Sequence, residues 1–309
     1  MRTILALALT ALLLAPIAAS AESEPLWEVA RKQADAGTFG GLTIDLGEGA
    51  SDTSISMQYN DMPSIVEVYT ATWCSNCVTS EHAMEEVLSG IDAVQIHYHR
   101  HFFEIEDPFG SNSTEERWEA VYGESSTAVG GGPRLAPTSI IDGERMHIGS
   151  SPKGESLIND YTWSMAVGST ARFVGGAIEF GVSFEAEAAT FSWSLDDLVF
   201  SCADDCPEQQ TTAWLMFVED SAYFSEGSNN LEDYLHVLHE AIALDSDSGS
   251  LSVEVPTTWD GDDMKAILLV DWEIVHDEAR NPNPLPAAGL STLLSLLAAV
   301  PVARHLRED

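Results

Sequence analysis

The sequence predicts an α/β domain over residues 22–168, followed by a mostly-β, sandwich-like domain over residues 169–278. Three observations carry this. Strand-like apolar runs and segments of helical period alternate from Pro25 to about Gly168. From about residue 170 the period becomes two, with Ile178, Phe180, Val182 and Phe184 alternating with Glu179, Gly181, Ser183 and Glu185. About 260 residues lie between two unusual ends, a length that favours two domains.

The ends come first. Residues 1–21 read as an export signal, with basic Arg2, an apolar run from Ile4 to Leu14, and a small-x-small cleavage site at Ala19-Ser20-Ala21. The mature chain is then expected to begin at Glu22. A retained anchor is the weaker alternative, because the run is short and Pro16 follows it. At the other end, residues 279–309 read as a stalk and membrane tail. Leu285 to Ala303 carries no charge and as a helix would reach about 28 Å, near the thickness of a hydrocarbon core. Pro282, Pro284 and Pro286 stiffen the approach, and Arg304, His305 and Arg307 follow on the expected cytoplasmic side. The segment resembles the C-terminal sorting or anchoring tails of archaeal and bacterial surface proteins. A buried C-terminal helix is the alternative that Pro301 and the Ser/Thr residues keep open.

Between the ends, Pro25 to Ala36 reads as a short helix, and Ile65 to Thr70 as a strand that is apolar except at Glu67. After Cys74 comes a helix with Met84, Val87, Leu88 and Ile91 on one face, then a strand from Ala93 to His99. Ser113 to Tyr122 reads as a second helix, striped by Trp118, Val121 and Tyr122. Beyond Gly130-Gly131-Gly132, the strand Leu135 to Ile141 turns at Asp142-Gly143 into Met146-His147-Ile148. Ser151 and Pro152 open a last helix bearing Leu157, Ile158, Tyr161 and Met165. In the second half, Phe191 to Leu195 continues the period of two, and further strands are expected at Trp214–Val218, Leu251–Val255 and Met264–Val275. Only Asn230 to Leu244 reads as helical there.

The net charge of −37 and the presence of lysine only at Lys32, Lys153 and Lys265 exclude nucleic acid as a partner, since no basic stripe exists to displace counterions. Such a surface resembles proteins from saline environments, where salt screens self-repulsion.

The residues that carry chemistry are Trp73-Cys74-Ser75-Asn76-Cys77. Two cysteines three apart at a helix start can form a reversible disulfide, and a helix N-terminus favours the thiolate that exchanges it. A structural disulfide or part of a metal site are the alternatives; a zinc site would need two more ligands. The order strand, CxxC, helix, strand, helix, Pro-Thr strand, hairpin, helix resembles the thioredoxin superfamily over residues 64–165, with Trp73, Cys74, Cys77 and Pro137 as the matching positions. The resemblance implies that Cys74 attacks a protein disulfide and Cys77 resolves the mixed disulfide. It also implies that Pro137, usually cis in the family, and Thr138 align the substrate backbone. The mature chain looks more narrowly like secreted thioredoxin-like proteins of unassigned function with a β-rich C-terminal half, through Val66-Glu67-Val68-Tyr69-Thr70, Ile96-His97-Tyr98 and Asp107-Pro108-Phe109. Three departures leave the redox potential open. The family's buried acid falls at Val68 and not at Glu67, the CxxC interior is Ser75-Asn76, and Val78 replaces a common proline. Glu67 is then either a modulator of Cys77 or a residue on a partly wet sheet face.

Cys202 and Cys206, in a polar loop, are expected to form a structural disulfide, with a second redox pair as the alternative. His97, His99 and His101 alternate and would share one strand face, with Glu104, Glu106 and Asp107 nearby; copper or zinc binding is weighed there against a polar sheet edge. Asn112-Ser113-Thr114 matches a glycosylation acceptor in an expected loop. The expectation is an exported, membrane-tethered thiol–disulfide oxidoreductase needing no cofactor. It would act on protein thiols and disulfides, with a membrane electron donor or acceptor as a further partner. The alternatives are an extracytoplasmic copper or soft-metal binder using the CxxC and the histidine strand, and a redox-inert surface binding module.

Overall fold

The computed structural model describes residues 25–32, 35–102, 107–185, 188–202 and 207–275. In chain order these form β1 (Glu28–Val29), β2 (Ala36–Asp45), β3 (Thr53–Gln58), β4 (Ser64–Thr70), α1 (Ser75–Leu88) and β5 (Ala93–His99). Helix α2 (Asn112–Trp118) follows, prolonged by a π turn (Glu119–Gly123) and Glu124–Ala128. Next come β6 (Thr138–Ile141), β7 (Arg145–Ile148), α3 (Leu157–Val167), β8 (Phe173–Gly175), β9 (Ala177–Glu185), β10 (Ala188–Ser194) and β11 (Val199–Phe200). The chain closes with β12 (Gln209–Tyr223), β13 (Asp233–Leu244), β14 (Ser248–Val253) and β15 (Met264–Ile274).

A nine-stranded mixed sheet dominates, in the order β1-β7-β6-β4-β5-β13-β12-β15-β2, and a four-stranded sheet runs β14-β10-β9-β3. The chain is β-rich, and its few helices lie on the larger sheet. Alternation along β4 shows how the layers are assigned. Val66 and Val68 pack with Met84 and Leu88 of α1 and Tyr161 of α3. Ile65 and Tyr69 pack on the opposite face with Trp118 and Tyr122 of the α2 segment. Towards the other end of the sheet, Leu215, Phe217 and Leu268 pack against Phe180 and Phe191 of the four-stranded sheet. Asp142 and Gly143, with φ of 53° and 65°, make the β6–β7 hairpin turn. Gly143 is also required sterically, because a Cβ there would run into Thr38.

Several expectations are corrected. The boundary expected at 168–169 is not a break in the fold: β2 and β3, which precede the CxxC, pair with β15 and β9, and β5 pairs with β13. The described residues up to Ile274 belong to one unit. Pro25 to Ala36 is not a helix; Glu28–Val29 pairs with β7, and Ala36 starts β2. Asn230 to Leu244 is not helical; its residues from Asp233 onward form strand β13. Its buried residues Tyr234, Val237, Leu238, Ala241 and Leu244 mimic helical spacing, because His236 adopts φ 56° and a bulge opposite Phe217–Val218 shifts the alternation. Helix α1 ends at Leu88, which leaves Ile91 exposed. Helix α3 starts later than expected, capped by the Ser156 side chain accepting from Asn159 N at 3.0 Å. Residues 1–21 and 279–309 lie outside the described residues, among which no helix is long and apolar enough to cross a membrane.

Candidate functional site

Strand β4 delivers the chain to the edge of α1, where Ala71 O accepts from Cys74 N at 3.0 Å. Cys74 is the N-cap residue, its sulfur accepting from Cys77 N at 3.2 Å. The two cysteines form a disulfide with Cα atoms 5.3 Å apart. They cluster with Ala71, Trp73 and Ala136. Cys74 keeps 6% of its surface exposed and Cys77 none, so another sulfur can approach this disulfide only from the Cys74 side. Trp73 is half-buried, with the Arg100 guanidinium 5.6 Å from its ring centroid.

The Ala136–Pro137 peptide is cis. Pro137 and Thr138 are both buried, and the Thr138 hydroxyl donates to Leu135 O at 2.6 Å. Half-buried Ala136 packs on the disulfide.

Glu81, Thr70, His99 and Asp107 form a buried polar cluster on the α1 side of β4, of which sequence reading missed Glu81. Glu81 sits one helical turn beyond Cys77, on the same face of α1, and is 8% exposed. Burial raises its carboxyl above the usual range, opposed by the Thr70 hydroxyl, which donates to it, and by nearby His99. His99 Nδ1 lies 3.2 Å from both oxygens of Asp107, and Asp107 also accepts from Thr72 N at 2.9 Å. His99 Nε2 is buried with no hydrogen-bond partner among the described residues. The legible signal was the spacing Cys77-x-x-x-Glu81, which places the carboxylate under the second cysteine if the helix forms.

Glu67 fits neither expected role. It points to the opposite sheet face and is wholly buried, accepting from Tyr98 Oη at 2.5 Å, from Tyr122 Oη, and from Arg117 Nη1 at 2.5 Å. Arg117 Nη2 lies 3.1 Å from Asp271, which Arg31 approaches at 2.6 Å and Thr38 at 2.8 Å. Burial opposes the charge on Arg117, but Asp271 and Glu67 outweigh it and raise its pKa. The network ties β4 to β15 and stands apart from the disulfide.

The C-terminal half reaches the site through the loop between β12 and β13. Thr72 O, two residues before Cys74, accepts from Ser228 N at 3.0 Å, Asn229 N at 3.1 Å and Tyr234 Oη at 3.3 Å. Asn229 is itself buried and holds Tyr234 Oη at 2.8 Å.

The three histidines are not gathered. His97 faces His236, ring centroids 5.4 Å apart, and burial lowers its pKa well below the usual range. His99 faces Asp107, and His101 lies past the end of β5 beside Phe102. Among the described residues no group of three or more His, Cys, Asp or Glu side chains could hold a metal ion. Glu104, Glu106 and Cys206 lie outside the described residues, while Cys202 is disulfide-bonded. Asn112-Ser113-Thr114 opens α2 instead of lying in a loop; Ser111 caps this turn, and Thr114 is buried in the capping box.

No family model and no curated protein matches this chain. Two solved structures are similar to it at low identity. One is the crystal structure of protein AGR_C_4864 from Agrobacterium tumefaciens, 13% identical with a TM-score of 0.39, covering 69% of this chain and 95% of that one. The other is HBP35 of Porphyromonas gingivalis, 16% identical with a TM-score of 0.35, covering 69% of this chain and 64% of that one.

Proposed function

We propose that this protein is a thiol–disulfide oxidoreductase acting on protein thiols and disulfides through Cys74 and Cys77, with a thioredoxin-like arrangement around the pair. The observation that carries the reading is the Cys74–Cys77 disulfide at the start of α1, open only on the Cys74 side and flanked by Ala136 and cis-Pro137. In the oxidised form, a substrate thiolate attacks the Cys74 sulfur, the Cys74–Cys77 bond breaks, and its electron pair leaves on Cys77. A second substrate thiolate then attacks the substrate sulfur. This releases a substrate disulfide and leaves both cysteines reduced. The reverse sequence reduces a substrate disulfide. The helix N-terminus stabilises the Cys74 thiolate in either direction. Glu81, one helical turn beyond Cys77 on α1 and kept protonated to higher pH by burial, is the acid this reading assigns to protonate the departing Cys77 sulfur and to take that proton back.

The apolar segments at residues 1–21 and 279–309 extend the proposal to an exported, membrane-tethered protein, with a membrane electron donor or acceptor. The soft-metal reading would use the same two sulfurs in their reduced form, with the histidines of β5, which the fold sets against His236 and Asp107.

The test is a glutathione redox titration of the purified full-length chain, with exchange assayed on a disulfide-bonded protein. A midpoint near about −270 mV indicates a reductant and one near about −120 mV an oxidant. Cys74→Ser should abolish exchange. A pair that does not titrate, or a Cys74→Ser variant with full activity, overturns the reading; a pair that instead takes up copper moves metal binding to the front.

A further inference from the structure

Strand β3 ends the four-stranded sheet and is paired there only with β9. It runs Thr53-Ser54-Ile55-Ser56-Met57-Gln58, with no charge, no proline and no bulge. Edge strands are ordinarily blunted by such devices, because unpaired backbone groups recruit further strands. The other described edges have them or are covered. β1 has two residues, one of them Glu28, and β8 and β11 are as short. β2 is buried, and its Thr38 N donates to Asp142 O at 2.8 Å. β14 leads into Glu254, which lines a groove with Glu240 and Ile242 of β13. In a chain with 50 Asp and Glu among 309 residues, six successive uncharged positions on an exposed edge make a gap in the self-repulsion.

The ladder shows which groups of β3 are open. Tyr59 N donates to Gly176 O at 3.2 Å, one rung beyond Gln58 and Ala177 in the same register. On the same alternate set of β9, Phe184 N reaches Asp52 Oδ1 at 2.9 Å. Hydrogen-bonded rungs alternate in an antiparallel pair, so Ser54, Ser56 and Gln58 turn their backbone N–H and C=O away from β9. Their side chains are exposed on the outer face, while Ile55 and Met57 are half-buried at the margin of the core between the sheets.

We propose that β3 is a homodimer interface, in which two copies of this chain pair their β3 strands antiparallel about a two-fold axis at Ser56. The strand is self-complementary in this register. Ser56 faces the partner's Ser56, and Ser54 faces the partner's Gln58, so every outward backbone group of these residues is paired, in about six hydrogen bonds. Ile55 and Met57 face each other across the junction on the core side, where each covers the other's remaining apolar surface. The acids that bound the strand, Asp52 and Asp61, stand level with the partner's Asn60 and Ser51 and not with each other. Glu179, beside Ser56 on β9, is three strand spacings from its copy, about 14 Å, which exceeds the Debye length of about 10 Å at 0.1 M salt. The two four-stranded sheets become one continuous sheet.

The test is sedimentation equilibrium of the full-length chain in mild detergent. A monomer–dimer equilibrium is expected whose dissociation constant falls at least about threefold between about 0.1 M and about 1 M NaCl, as salt screens two acidic copies. Ser56→Glu sets two carboxylates opposite each other at the axis and should raise the constant at least about tenfold. Ser192→Glu, on the same face of central strand β10, should change it less than about twofold. An equimolar mixture of Ser56→Glu and Ser56→Lys chains should regain the dimer, which also shows that both variants are folded. Hydrogen exchange should show protection of the Ser54, Ser56 and Gln58 amides rising with protein concentration, while that of Ile55 and Met57, bonded to β9, stays constant. A chain still monomeric at about 0.1 mM in high salt overturns the proposal. So does a dimer indifferent to Ser56→Glu, the result expected if the apolar terminal segments hold it, or a Glu/Lys mixture that stays monomeric.

Discussion

Glu81→Gln keeps the shape of a buried side chain and removes its ionisation. The residue is 8% exposed, and an amide oxygen can accept the Thr70 hydroxyl as the carboxylate does. Burial raises the folded-state pKa above the unfolded value of about 4.3. Between those two values the native state binds more protons than the unfolded state, so stability falls as pH rises. The contribution is complete below the unfolded pKa and is lost as pH passes through the folded one. Within that window the slope approaches about 1.4 kcal/mol per pH unit, the value of one whole proton. The variant lacks this slope. Its stability minus that of the wild type should therefore grow with pH across the window and then level off. Titrating groups that do not interact with Glu81 cancel in the difference. Urea denaturation of both full-length proteins, with the disulfide intact, at intervals from about pH 4 to about pH 8 measures it. A difference that is flat with pH would show that Glu81 is not held protonated by its surroundings, and would remove it as the proton partner of Cys77.

Two further outcomes follow from the same packing. Arg117→Met leaves Glu67 and Asp271 short of their shared cation in a fully buried position, and should cost about 3–5 kcal/mol in denaturation measurements. A loss below about 1 kcal/mol would refute the network's role, and the E67Q/R117M pair should cost less than the two single changes summed. Gly227→Ala places a Cβ into the Tyr234 hydroxyl and 3.0 Å from Thr72 O. It should lower stability by about 1–3 kcal/mol and speed reduction of Cys74–Cys77 by dithiothreitol; an unchanged reduction rate would mean that the loop does not shield the disulfide.

The parts of the site legible in the sequence were those written in neighbouring residues. Trp73 to Cys77, the apolar run of β4, the face of α1 bearing Met84 and Leu88, and the Asp142-Gly143 turn all follow from local spacing and φ preference. Reading failed where a local pattern was ambiguous. In β13 the left-handed His236 and the bulge gave the buried residues intervals of three and four, the signature of a helix. The alternation of His97, His99 and His101 correctly sets the first two on one strand, but it is silent on what faces them: His236, 139 positions away in the chain from His97, and Asp107 from a following turn.

By itself, then, the sequence determined the chemistry-bearing pair, the helix it caps, and the change from mixed to mostly-β texture, because each depends on residues within a turn or a strand of one another. Only the tertiary structure decided that β2 and β3 close the C-terminal sheets, that Glu67 serves a buried ion network, and that Tyr234 supports Thr72 from 162 positions away. The physical reason is that a contact closed by a long loop is selected by the shape and polarity of the whole core, and leaves no periodic mark on either segment that makes it.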